Sequence, residues 1–190
     1  MKRLLLILIL TLSFQPWTKA DDIRDFEIEG MSIGDSALDY FAEEQILNNR
    51  MSYYKNKSYT PVEIERLSFF ETFESIAFGF KTGDKNYKIL GLTGHIDYPN
   101  KISDCYKKQD KILEELSELF NNVALKSKKK TYINTIDEVN DTKKVSQAFW
   151  FDSEDVVAVA CYDYSLKSGY MDNLAVTIDT KEYNPSIYFY

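Results

Sequence analysis

The chain has a single histidine, His95, and two cysteines, Cys105 and Cys161, in 190 residues. Zinc sites favour close pairs of Cys or His, and these three residues have no such spacing. A nucleophile needs a base within hydrogen-bond reach, so only His95 could serve an imidazole-dependent mechanism. Glycine numbers seven and proline four, and no glycine loop of the phosphate-cradling kind is present. There is no low-complexity tract and no internal repeat. Beyond residue 20 no apolar run approaches the roughly 20 residues needed to cross a bilayer. Basic residues are also short, at 23 against 30 acidic ones.

What is present begins with an export signal. Lys2 and Arg3 precede the apolar stretch Leu4 to Phe14, and Thr18 and Ala20 occupy small-residue cleavage positions, the three-part layout of a secretory leader. The expected organisation is a cleaved signal peptide at 1–20 and one exported α+β domain at 21–190, periplasmic or extracellular. An uncleaved membrane anchor is disfavoured because the apolar run is short, and no cysteine follows it to carry a lipid. Removing Lys2, Arg3 and Lys19 from the 23 basic side chains leaves 20 against 30 acidic ones, a net charge of −10. That balance disfavours nucleic acid and anionic membrane surfaces as partners. The one basic cluster, "KSKKK" at Lys126 to Lys130, reads as a solvated loop whose cations suit the negative end of a preceding helix.

Two cysteines in an exported chain predict a Cys105 to Cys161 disulfide, because thiols oxidise outside the cytoplasm. Closing a loop of about 57 residues would contribute roughly 4 kcal/mol on the chain-entropy estimate. The alternative is two buried thiols acting as small apolar residues.

"FEIEGMS" from Phe26 alternates apolar and polar residues and predicts a strand, followed by a helix from Ser36. Tyr53 to Pro61 has no clear period and reads as an irregular connection. "ESIAFGFK", the turn "TGDKN" and "YKILGLTGHIDY" predict a hairpin. From Ile102 to Val123 apolar positions recur at three- and four-residue steps, with Lys107, Lys108, Lys111, Glu114, Glu115 and Glu118 opposite, which predicts a long helix lying on a sheet. "KVSQAFWFD", "VVAVACYDY" and "LAVTIDT" predict three further strands. The fold class expected is α+β, a mostly antiparallel sheet of five to six strands in the order β-α-β-β-α-β-β-β, with one long and one short helix.

Ser36, in "GDSALD", is the obvious candidate nucleophile. GDSL-type lipases resemble this chain over Gly34 to Ser36, but they carry a catalytic Asp and His near the C-terminus, and no histidine follows residue 95. With Asp39 three residues on and Leu38, Phe41 and Ile46 forming an apolar face, Ser36 reads as a helix cap close to a capping box. His95 falls on a predicted strand, opposite Leu90, Leu92 and Ile96, half-exposed or hydrogen-bonded in a second layer. Asp152, Glu154 and Asp155 read as an acidic hairpin turn, since the regular calcium loop with its central glycine is missing.

The run "FEIEGMSIGDSALDYF" resembles the opening of small exported sheet-and-helix modules such as the outer-membrane assembly lipoprotein BamE and the β-lactamase inhibitor proteins, in which a glycine-bearing strand leads into a capped helix. The mature chain as a whole, through "GDKNYKILGLTGHIDY" and "SDCYKKQDKILEELSELF", resembles exported proteins of Pelagibacter-type marine bacteria. That family brings no known activity with it.

An eight-stranded outer-membrane barrel fits the length and the aromatic stretch "SIYFY", but not the long amphipathic helix. Two function classes remain. One is a non-catalytic exported module that binds another envelope protein or a small ligand without a cofactor or metal. The other is a hydrolase using carboxylates alone, as glycosidases do, with no pair singled out among so many acids. The strands "QAFWFD" and "VVAVACYDY" are apolar on both faces. Cys161 marks the face that takes the long helix, and Phe149, Phe151, Tyr162 and Tyr164 are the candidates for the other, an interaction surface unless the short helix or the C-terminal stretch covers it. A one-residue register change would exchange these pairings.

Overall fold

The computed structural model describes residues 22–52, 57–65, 67–134 and 142–183. The expected leader and the "SIYFY" stretch lie outside them. Among the described residues no helix is long and apolar enough to cross a membrane.

The fold is α+β and built around one large antiparallel sheet. "FEIEGMS" is a tight hairpin and not one strand: β1 (Glu27–Ile28) pairs with β2 (Met31–Ser32), with Glu29 and Gly30 both at positive φ. A two-residue hairpin turn of this type demands that backbone at both central positions, and alternation alone does not reveal the reversal. The helix predicted from Ser36 is likewise only a 3₁₀ turn, Ala37–Asp39, followed by the short α1 (Glu43–Asn48). In α1 the Gln45 side chain accepts from Ala42 N–H at 3.0 Å, the half of a capping box that an alanine can share.

The large sheet holds eight strands, more than the five to six expected. They are β3 (Tyr59–Glu65), β4 (Ser75–Lys81), β5 (Gly91–Asp97), β6 (Ala124–Lys126), β7 (Lys130–Asn134), β8 (Thr142–Phe151), β9 (Val156–Asp163) and β10 (Asn173–Asp179). Their order is β3-β4-β5-β10-β9-β8-β6, with β7 also paired to β8. β4 and β5 form the predicted hairpin, and β8, β9 and β10 match the three predicted strands. Three strands were not anticipated. β3 begins inside the stretch read as irregular; its Pro61 is tolerated because β3 lies at the sheet edge, where a missing N–H costs no ladder bond. β6 and β7 take up the two ends of the lysine cluster read as a loop, Lys126 and Lys130, and Ser127 between them donates its N–H to Ala148 O and accepts from Ala148 N–H at its Oγ.

The long helix, α2 (Ile102–Leu119), lies where its period placed it. Cys105, Gln109 and Leu113 are buried, and Lys107, Lys111, Glu114, Glu115 and Glu118 face water. Gln109 Nε2 donates to Val145 O and Val159 O on β8 and β9 at 2.7 and 3.1 Å, so the polar residue within the apolar stripe is spent on the sheet. Cys105 and Cys161 are bonded, with Cα atoms 6.1 Å apart, fixing α2 to β9. Phe120 closes the far end of the helix against Phe26, Phe149 and Phe151. The N-terminal ribbon, α1 and α2 share a single apolar core with Ile76, Phe78, Leu92, Val157, Val159, Leu174 and Ile178 of the sheet. One side of the sheet is therefore the helix side.

Candidate functional site

Register decides which side chains reach the other side of the sheet. Phe149 pairs with Val157, and Val145 with Cys161, so residues 145, 147, 149 and 151 of β8 point with Cys161 toward α2. Phe149 and Phe151 are buried there, their rings 5.2 and 5.0 Å from Phe120. Their expected place on the opposite surface is thus corrected, by the one-residue offset that exchanges the faces of a strand. Tyr162 and Tyr164 do lie on the far side.

Across the far side the ladder aligns Tyr132 of β7 with Lys144 of β8, Lys144 with Tyr162 of β9, and Tyr162 with Asn173 of β10. Lys144 Nζ stands 5.2 Å above the Tyr162 ring, a cation–π contact. The Tyr162 and Tyr164 rings stack 5.8 Å apart at 14°, and Tyr170 follows 5.3 Å from Tyr164. Tyr170 belongs to the β9–β10 connection, which is held to the sheet end by Tyr164 N–H donating to Asp172 Oδ1 at 2.8 Å and Tyr98 N–H donating to Asp172 O at 2.7 Å. The connection presents Leu166, Tyr170 and Met171 to solvent, at 93, 67 and 44 % exposure. Burial raises the Tyr164 hydroxyl above the usual tyrosine range, and the neighbouring Tyr162 adds to the effect, so Tyr164 acts as a neutral hydrogen-bonding ring.

His95 occupies the next row, a half-buried far-side residue opposite Ser75 and Ala175. Strand alternation had placed it correctly. Burial holds its imidazole below the ordinary value, against the opposing influence of Glu63, Asn173 and Asp97. Ser75 Oγ donates to Glu63 Oε1 at 2.9 Å, which commits its proton to a carboxylate and not to the imidazole. This cluster is hydrogen-bonded but not arranged as nucleophile, base and orienting group.

Ser36 is a cap, though of the 3₁₀ turn. Its Oγ accepts from Leu38 N–H at 3.3 Å and donates to Asn86 O at 2.6 Å. Both partners are backbone groups, so nothing there would activate the hydroxyl. The acidic turn is also engaged: Asp155 accepts from Lys181 N–H at 2.7 Å, and Lys181 Nζ reaches Glu154. Lys129 pairs with Asp110 on α2, in keeping with a solvated basic cluster beside the helix.

The row includes three residues that sequence reasoning missed. Tyr132 fell between the lysine loop and the next predicted strand, where "TYI" was the available β signal. Lys144 opened a predicted strand without being singled out, and Tyr170 fell in the connection between two predicted strands. Compared with protein-family models, curated proteins and solved structures, the chain matches none.

Proposed function

We propose that this protein is a non-catalytic exported module that holds an envelope protein or small ligand against the tyrosine row Tyr132, Tyr162, Tyr164 and Tyr170. The unbroken ring contact from Tyr162 through Tyr164 to Tyr170, beside the exposed Leu166 and Met171, carries the reading. Aromatic rings with a polar tip supply large contact area at small entropic cost, which is why they are enriched at interfaces. Lys144 adds a single positive charge within a strongly acidic chain. The Cys105–Cys161 bridge fits an oxidising compartment.

The test is a thermal-shift screen of the domain 21–190 against sugars, peptides and metals, run in parallel with Tyr170→Ser. A ligand of the row raises the apparent stability of the wild type, by about 2.7 kcal/mol at a hundredfold excess over Kd. Tyr170→Ser should weaken that shift. A ligand whose shift is unaffected by the substitution binds elsewhere and rejects the row; turnover of a glycoside or peptide by the domain would reject the non-catalytic reading.

A further inference from the structure

Among the described residues no strand pairs with the outer edge of β7. The phase of the ladder fixes which of its backbone groups are turned outward. Ala148 of β8 accepts from Ser127 N–H at its carbonyl and donates its own N–H to Ser127 Oγ, while Phe151 N–H points the other way, to Asp155 O. The β8 register is unbroken against both neighbours. Alternation along an antiparallel strand therefore sends the N–H and C=O of Ser146 and Lys144 toward β7, where they meet Lys130 and Tyr132. Thr131 and Ile133 are left with their N–H and C=O groups directed away from the sheet.

An exposed edge of this kind is a template for another strand, and proteins guard it with prolines, bulges or coverage. The opposite edge is so guarded: β3 contains Pro61, and its outer side bonds to Asn49 O and Met51 N–H. β7 has five residues in regular register without a proline. Its Thr-Tyr-Ile centre favours strand pairing, and Tyr132 and Ile133 are 47 and 66 % exposed. What surrounds it is positive charge. Lys128 and Lys130 are exposed and form no ion pair among the described residues, and Lys144 lies beside Tyr132 on the far side.

Those lysines select the occupant. A second copy would bring two lysine clusters to one seam, whereas an acidic strand would neutralise one. We propose that β7 takes up an extended acidic segment of another protein as an added strand. Its backbone bonds to Thr131 and Ile133; alternate side chains set apolar groups beside these two residues on one face and carboxylates beside Lys130 and Lys144 on the other. The inference goes beyond the tyrosine row and does not rest on it, since it concerns a backbone edge that shares only Tyr132 and the neighbouring Lys144 with the row.

The experiment is amide hydrogen exchange followed by NMR on the protein alone and with two probe peptides, acetyl-Thr-Glu-Val-Glu-Val-Glu-Thr-amide and the same peptide with lysine in place of glutamate. In the free protein the Thr131 and Ile133 amides should exchange fast and those of Lys130 and Tyr132 slowly. The acidic probe should slow exchange at Thr131 and Ile133, and the lysine probe should not. Ile133→Pro removes an outward N–H and leaves the ladder to β8 in place; it should weaken the acidic probe by at least about tenfold, the loss expected for one hydrogen bond. Lys130→Glu keeps the backbone edge and should reverse the preference between the two probes. Tyr170→Ser should leave binding at this edge unchanged, so this proposal and the tyrosine row fail separately. Slow exchange of Thr131 and Ile133 in the free protein would show an edge already paired and overturn the proposal. Equal protection by both probes, undiminished binding to both variants, or protection that rises with protein concentration alone, as a second copy would give, would overturn it too.

Discussion

Ser36 illustrates how one side chain resolves a choice between chemistry and capping. Its hydroxyl both donates and accepts, and each bond satisfies a backbone group. Ser36→Ala should cost about 0.5 to 2 kcal/mol in urea denaturation, while a fluorophosphonate probe leaves the wild type unlabelled. Stoichiometric labelling at Ser36 would contradict the capping role. His95 sets a pH dependence of definite sign. Burial lowers its folded pKa below the ordinary 6.5, so the unfolded chain binds the proton more readily. Its contribution to stability is full above about pH 6.5 and declines as pH falls through the folded value. The groups acting on it are Glu63 from β3, Asp97 from β5 and Asn173 from β10. Denaturation of the wild type and His95→Gln at pH 7.5 and 5.5 should show the larger loss in the wild type; equal slopes would remove His95 as the cause.

At the level of elements, α2 and β9 are joined by both covalent and packing forces. Cys105 is held on the buried stripe of the helix by its three- and four-residue spacing, and alternation along β9 sets Cys161 on the side facing it. Mass spectrometry of the protein without reductant should recover the two peptides linked. Replacing both residues with alanine should cost roughly 4 kcal/mol on the chain-entropy estimate, and two free thiols in the untreated protein would exclude the bridge. α2 and the strands β8, β9 and β10 were legible because their hydrophobic periods are local. β3 was not: its start is polar, and Pro61 argues against an interior strand. The pairing of β3 with β4, which gives Val62 and Ile64 a core to enter, is visible only once the sheet is assembled.

For the whole molecule, the large sheet has a helix side that carries the apolar core and a far side that carries the tyrosine row. Within the tyrosine row, Tyr164 is half-buried between two rings, whereas Tyr170 is mostly exposed. Tyr164→Ser should therefore lower stability by about 2 kcal/mol through lost ring contacts and burial, and Tyr170→Ser should change it by less than about 0.5 kcal/mol. Equal effects in chemical denaturation would show that the two rings do not differ in burial.

The mixed α+β class, the long amphipathic helix, the three last strands, the cysteine pairing and the capping role of Ser36 are all legible in the chain, because each rests on spacing within a short segment or on there being no other partner. Tertiary structure alone decided that β10 inserts between β5 and β9, that β6 and β7 extend the sheet, and that Phe149 pairs with Val157 and so turns toward α2. These are choices of partner and register between segments far apart in the chain. A one-residue offset reverses every side chain of a strand, and where both faces of that strand are apolar its own pattern does not prefer either alignment. The preference comes from the full set of surfaces buried at once, with Phe120 waiting at the end of α2 to receive Phe149 and Phe151.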